Sequence, residues 1–385
     1  MGYTQLDPPP SNDDPIENRT TRSLSAKSII VHSTLFLATF VSCTIAGAWW
    51  SGSRDPFDVA NWGSGITYAC LIMLFISAHE FGHYFAARIH GVDATLPYYI
   101  PMPFVNIMPF GTMGAVIRTK TAVPSRKVLF DIGVSGPLAG FVISLVILIV
   151  GFATLPPKDH IYSIHPEYLQ FFGGMVPDFG MYFGDTLLYT ILSHILPGVQ
   201  ANLPPMNEMY HYPFLCVGWF GLFVTSLNLL PIGQLDGGHV VYAMFGKHQR
   251  TIARVAVACM TLVGLGGLLG DCKAMLAIDS PDDLFVFLQS LLSPVIHVLD
   301  LYAPWVFMGW TGWLMWAFFA RFFFRLQHPT LQDDTPLDKK RMLVGWIAIA
   351  VFVVSFAPAG IFEKSATDSM KNLRNHDAVV LLSPR

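Results

Sequence analysis

Residues 66–89 form an apolar run long enough to cross a bilayer, and His79-Glu80-Phe81-Gly82-His83 lies inside it. A carboxylate near the middle of a spanning helix costs roughly 2.5–3.5 kcal/mol on insertion scales. Ionisable residues kept at that depth are usually functional. On a helix, His-Glu-x-x-His sets two imidazoles four residues apart on one face, where they can share a zinc ion. Glu80 stands beside them, placed as a general base for an attacking water. A solvated charge cluster would need polar flanks. Here the flanks are Cys70-Leu-Ile-Met-Leu-Phe-Ile76 and Tyr84-Phe-Ala-Ala87.

The rest of the 385-residue chain agrees with a membrane setting. It is 53% hydrophobic and 13% charged, against about 25% charged in a soluble globular protein. The net charge of −3 points to no class of partner, and no basic patch with interleaved aromatics suggests nucleic acid. The five cysteines are scattered, with no Cys-x-x-Cys pair, which argues against a disulfide framework or a thiolate zinc cluster. Residues 1–28 are polar and read as a disordered cytoplasmic tail. The first apolar run then acts as a signal anchor rather than a cleaved peptide.

Hydropathy predicts spans at about 29–50, 66–89, 128–152, 213–230, 251–269, 303–324 and 342–361. The fold class expected is an all-α polytopic membrane protein with six to seven transmembrane helices and a small membrane-embedded β-hairpin or sheet. Arg88, Lys120, Arg126 and Lys127 gather between the second and third spans, and Lys247, Arg250 and Arg254 after the fourth. Positive charge marks the cytoplasmic side, so the N-terminus and both motif-bearing ends face it. Residues 284–299 break this count. They carry Pro294 and His297 and are expected to form an interfacial or re-entrant helix. Residues 181–196 are expected to lie on or dip into the membrane. Residues 95–121 are apolar but hold Pro97, Pro101, Pro103, Pro109, Gly111 and Gly114, which excludes a continuous helix. Met113-Gly-Ala-Val-Ile117 has strand character, so this stretch is either a hairpin offering an edge to an extended substrate or a re-entrant plug. The expected divisions are a tail at 1–28, a first helix and far-side loop at 29–64, a core at 65–246, and C-terminal helices and tail at 247–385.

Catalytic zinc keeps three protein ligands and an open position, so two histidines are one short. The best remaining stretch runs from Asn228 through Pro231 to Leu235-Asp236-Gly237-Gly238-His239. Asp236 follows the fourth span at the depth of His79 and His83, with two glycines allowing a close turn. Taken together, His79-Glu80-Phe81-Gly82-His83, Asn228-x-x-Pro231 with Leu235-Asp236-Gly237, Ser135-Gly-Pro-Leu-Ala-Gly140 and Gly111-Thr-Met-Gly114 resemble the motifs of the site-2 protease family, the intramembrane zinc metalloproteases. The resemblance covers about 66–246, in a minimal form without an added PDZ or CBS domain. It implies one Zn2+ per chain held by His79, His83 and Asp236, Glu80 as general base, and Asn228 near the scissile carbonyl.

The resemblance further implies an endopeptidase acting on transmembrane protein substrates within a plasma, inner or organelle membrane. Interhelical hydrogen bonding is the other reading of Asn228, and tight helix packing the reading of Gly136, Ala139 and Gly140. His239 is expected as a polar cap or a partner of Asp236, and His90, His211 and His248 as interfacial or exposed. His328-Pro329 with Asp333, Asp334 and Asp338 reads as a helix-ending turn with a solvated acidic cluster. The rival functions are a different membrane zincin, of the kind that processes prenylated proteins, and a non-catalytic metal carrier or helix-binding scaffold.

Overall fold

A bilayer core offers no water to backbone polar groups, so a spanning segment must bond them within itself. The apolar runs accordingly fold as helices. The computed structural model describes residues 25–104, 110–276, 283–322, 331 and 333–364. The expected tail therefore lies outside the described residues up to residue 24. Its last residues are helical, because α1 (Ala26–Trp50) begins where the Ser25 hydroxyl accepts from the Ser28 amide. α2 (Trp62–Ile89) packs closely against α1. A methyl on Gly65 would lie 2.0 Å from the Thr44 carbonyl, so only glycine admits this backbone contact.

β1 (Tyr98–Pro101) and β2 (Thr112–Val116) form an antiparallel hairpin with a register irregularity between Tyr99 and Pro101. Ser42 of α1 donates to the Gly111 carbonyl at 2.7 Å, and Ser77 of α2 bonds the Tyr99 hydroxyl at 2.7 Å. The hairpin is thus tied to both helices. Gly111 sits at φ 77° with Cys43 Cα 2.6 Å from where a methyl would be.

α3 (Arg126–Ala153) is capped by Ser125 and leads into an insert of α4 (Ile161–Ile164), α5 (Glu167–Phe171), β3 (Gly180–Phe183), α6 (Leu187–Ile195) and α7 (Val199–Asn202). α8 (Pro213–Asn228) is the most enclosed helix. Leu215, Cys216, Val217, Trp219, Phe220 and Leu222 are fully buried where α2 and α3 pack around it. A short turn leads to α9 (Asp236–Phe245), then α10 (Gln249–Leu276), α11 (Asp283–Tyr302), α12 (Gly312–Phe322) and α13 (Lys339–Ser355). β4 (Ile361–Lys364) returns to pair antiparallel with β3.

The multi-pass helical architecture with a small hairpin matches the expected class, and several element boundaries differ. Among the described residues five stretches are long and apolar enough to cross a membrane: Ala26–Trp50, Val59–Ile89, Arg126–Ala153, Asp236–Leu276 and Asp283–Tyr302. The last of these, expected as an interfacial or re-entrant helix, is one continuous helix with Pro294 inside, as apolar helices tolerate when the one lost bond is met locally. The span expected at 303–324 divides into a 3-10 turn, Pro304–Met308, and α12. The span expected to end at 361 stops at Ser355, with residue 361 opening β4. The stretch at 181–196 holds most of β3 and the whole of α6.

Candidate metal centre

α2 carries His79, Glu80 and His83 into the protein interior, at 6%, 8% and 7% exposure. The opposing face is α3, and the Ser135-Gly-Pro-Leu-Ala-Gly140 stretch makes the fit. A methyl on Gly136 would lie 2.1 Å from His83 Nε2, and one on Gly140 would lie 3.3 Å from His79 Nδ1. Gly82 does the same for α3 from the other side, with the Ser135 carbonyl 2.7 Å from its absent Cβ. These glycines are packing residues, as expected, and what they pack against is the pair of imidazoles. His83 Nδ1 donates to the Ile132 carbonyl at 2.7 Å. That bond fixes the tautomer and turns Nε2 toward the site.

The third side comes from the turn after α8. Leu230, Ile232 and Leu235 amides donate back to Leu227, Leu230 and Ile232 carbonyls, folding the chain tightly. α9 then starts against that turn. A methyl on Gly237 would meet the Leu229 carbonyl at 2.0 Å, and one on Gly238 the Gly233 carbonyl at 2.6 Å. Both glycines are therefore required for Asp236 to begin the helix where it does. A carboxylate in the first turn also suits the positive end of the helix.

Asp236 Oδ2 lies 3.3 Å from His79 Nε2 and 3.2 Å from His83 Nε2, and the two Nε2 atoms are 3.2 Å apart. Four-coordinate zinc with bonds of about 2.0–2.1 Å spaces its ligand atoms about 3.3 Å apart. The near-equilateral triangle fits that ion, and two imidazoles with a carboxylate are a donor set that catalytic zinc takes with one position open. Asn228, the last residue of α8, brings its Nδ2 to 3.5 Å from His79 Nε2. The Glu80 carboxylate meets the backbone at Ile117, just past β2, which sets the hairpin beside the site.

Other expected residues fall outside this group. His239 packs its Cβ 3.0 Å from the Cβ position of Gly133 on α3. His90 pairs with Asp131 at 2.8 Å. His328 and Pro329 lie outside the described residues. The acidic residues after them, Asp333, Asp334 and Asp338, are exposed as expected, and each also holds a partner. The Arg126 amide donates to the Asp333 carbonyl, Arg126 Nη1 lies 3.6 Å from the Asp334 carboxylate, and Asp338 caps α13. Arg126 is a supporting residue that sequence reasoning passed over as a topology marker. Buried at 8% exposure, it also donates from Nε to the Ala243 carbonyl at 2.7 Å, clamping α3 to the helix that carries Asp236.

The chain is similar to proteins named as zinc metalloproteases. The chain is 30% identical over 207 residues to the "Probable zinc metalloprotease EGY2, chloroplastic" of Oryza sativa subsp. indica, covering 54% of this chain and 34% of the relative. It is 34% identical over 195 residues to the "Probable zinc metalloprotease EGY1, chloroplastic" of Arabidopsis thaliana, covering 51% of this chain and 31% of the relative. The chain thus spans about a third of the length of these curated relatives. No solved structure matches it. The model of Peptidase family M50 matches residues 67–269, more than half the chain and every residue of the triangle, and the chain belongs to that family.

Proposed function

We propose that this protein is a zinc-dependent endopeptidase that cleaves peptide bonds in or near transmembrane segments of other membrane proteins. His79, His83 and Asp236 hold the zinc, Glu80 is the general base, and Asn228 is an amide donor to the substrate carbonyl. The observation that carries this reading is the closing of one small triangle by atoms 153 residues apart in sequence, with a carboxylate buried next to it. Bound zinc supplies Lewis-acid polarisation of a carbonyl and acidifies a water.

The chain's own residues do the rest. The Glu80 carboxylate takes a proton from the attacking water as the C–O bond forms, then hands it to the leaving amine as the C–N bond breaks. Asn228 donates a hydrogen bond to the carbonyl oxygen without burying another charge. A helical substrate hides its carbonyls, so it has to unwind before attack. Among the described residues β2 pairs with β1 alone, and its other edge, beside Glu80, suits strand addition by the unwound segment. The basic residues at 88–127 support an N-terminus and an active site toward the cytoplasmic side.

Purified wild type and Glu80→Gln, tested on a model transmembrane helix, decide the matter. The variant is expected to keep its zinc and lose cleavage. Cleavage by Glu80→Gln at the wild-type rate overturns the assignment, and absence of cleavage by wild type as well favours a metal carrier.

A further inference from the structure

A second set of metal-ligating atoms sits at the other end of α2 from the triangle. His165 closes α4, and Glu208 and His211 bracket the 3-10 turn before α8. Glu208 is 2% exposed and His211 8%, so His211 is buried rather than interfacial as the sequence had suggested. His211 bonds the Trp50 carbonyl at the end of α1, where Ser51 also bonds the Ser64 carbonyl near the start of α2. His79 is roughly 20 Å further along that helix at a rise of 1.5 Å per residue.

The hydrogen bonds here leave three acceptor atoms facing one another. His211 Nδ1 donates to the Trp50 carbonyl at 2.9 Å, and His165 Nδ1 donates to the Glu167 carboxylate at 2.8 Å. Both rings therefore point Nε2 inward, 2.9 Å apart. Glu208 Oε2 points to the same place, 3.4 Å from His211 Nε2 and 3.6 Å from His165 Nε2. Glu208 Oε1 accepts from the Tyr168 hydroxyl at 2.7 Å, whereas Oε2 is buried with no hydrogen-bond partner among the described residues. Two neutral rings so close set lone pair against lone pair. One proton between them would satisfy the nitrogens and leave the buried oxygen unbonded, which is costly for a charged group. A cation at the centre satisfies all three.

We propose that His165, Glu208 and His211 bind a second divalent cation, of the zinc class, that fastens the insert to the end of α1. The edges of 2.9, 3.4 and 3.6 Å scatter around the spacing of about 3.3 Å that tetrahedral zinc requires. The outer partners are those of a ligating histidine, one ring handing its other N–H to a carbonyl and one to a carboxylate. Two imidazoles select zinc and its neighbours over magnesium or calcium, which prefer oxygen throughout. A cleft of about 120 Å3 is bordered by His160, His211 and Tyr212, so it reaches one of the three ligand residues.

The test counts metal on the full chain, purified in detergent and freed of loosely held ions. Wild type is expected to carry about two zinc ions, and His83→Ala, His211→Ala and Glu208→Gln about one each. The double variant His83→Ala/His211→Ala is expected to carry none. Glu208→Gln keeps the shape and can still bond Tyr168, so it guards against misfolding. Cobalt loaded into His83→Ala reports the second site with its own ligands intact, and tetrahedral ligand-field bands support the proposal. About one zinc in wild type, retained by His211→Ala and lost in His83→Ala, overturns it and leaves the catalytic reading standing. The opposite pattern would overturn the catalytic reading alone. No metal in any form, with a shared proton as the sole occupant, overturns both.

Discussion

One methyl group at Gly136 tests the metal centre without touching a ligand. A Cβ there would lie 2.1 Å from His83 Nε2, 2.4 Å from Cδ2 and 2.5 Å from Cε1, so the clash falls on the coordinating edge of the ring. An ordinary contact needs about 3.5 Å, so something has to yield by about 1.4 Å. The ring cannot swing without giving up its 2.7 Å bond to the Ile132 carbonyl. α3 cannot retreat without opening its contact with Gly82. Functional constellations tolerate about 0.5 Å of displacement, and a 1 Å error costs about 100-fold in rate. Gly136→Ala is therefore expected to cut cleavage at least about 100-fold and to weaken zinc binding at least tenfold. Helix propensity, which favours alanine by about 1 kcal/mol, offsets part of the packing strain in the melting temperature. Gly140→Ala is the graded comparison. Its methyl would lie 3.1 Å from the Phe75 ring and 3.3 Å from His79 Nδ1, distances that small shifts relieve, so a loss of about tenfold or less is expected. Gly63→Ala, with nothing within 4 Å, is the control. Zinc competition titration, cleavage of a model helix and thermal melting are measured on all three. If Gly136→Ala binds zinc and cleaves like Gly63→Ala, the reasoning from backbone fit to metal geometry is wrong.

Arg126→Met should lower stability by about 2–3 kcal/mol, because it removes buried bonds from a charged group to the Ala243 and Asp334 carbonyls. Since α9 carries Asp236, zinc affinity should fall with it, and normal zinc affinity in a destabilised variant would separate the two effects. Asp338, the cap of α13, accepts from the Arg341 and Lys340 amides and pairs with the Arg341 side chain, and the Arg341 backbone bond first among these holds its carboxyl down to about 2. A depressed folded value means the cap contributes fully above the unfolded value of about 3.9 and is lost only as pH falls through about 2. The Lys340 and Arg341 amides should thus stay protected from hydrogen exchange at pH 4, and Asp338→Ala should expose them at every pH. Protection that fades already between pH 6 and 5 would contradict this.

The candidate metal centre was legible in the sequence because its chemistry demands residue types that a membrane interior otherwise rejects. His79, Glu80, His83 and Asp236 stand out against apolar neighbours. The flanking glycines carried a further signal that packing language obscured. Gly136 and Gly140 repeat the four-residue spacing of His83 and His79 in reverse order, as two antiparallel helices require if each imidazole is to find a gap opposite it. Elements whose reason for existing is remote in sequence were not legible. β4 follows a helix and finds β3 some 180 residues earlier, and four-residue strands carry too little alternation to be seen alone. His211 shows the same limit most clearly. A histidine beside tyrosines near a helix start reads as interfacial when judged by its neighbours in sequence. Its burial is set by the Trp50 carbonyl and His165, 161 and 46 residues away. Local composition reports where a side chain can be tolerated, and only the folded chain reports which lone pairs have been turned toward one another.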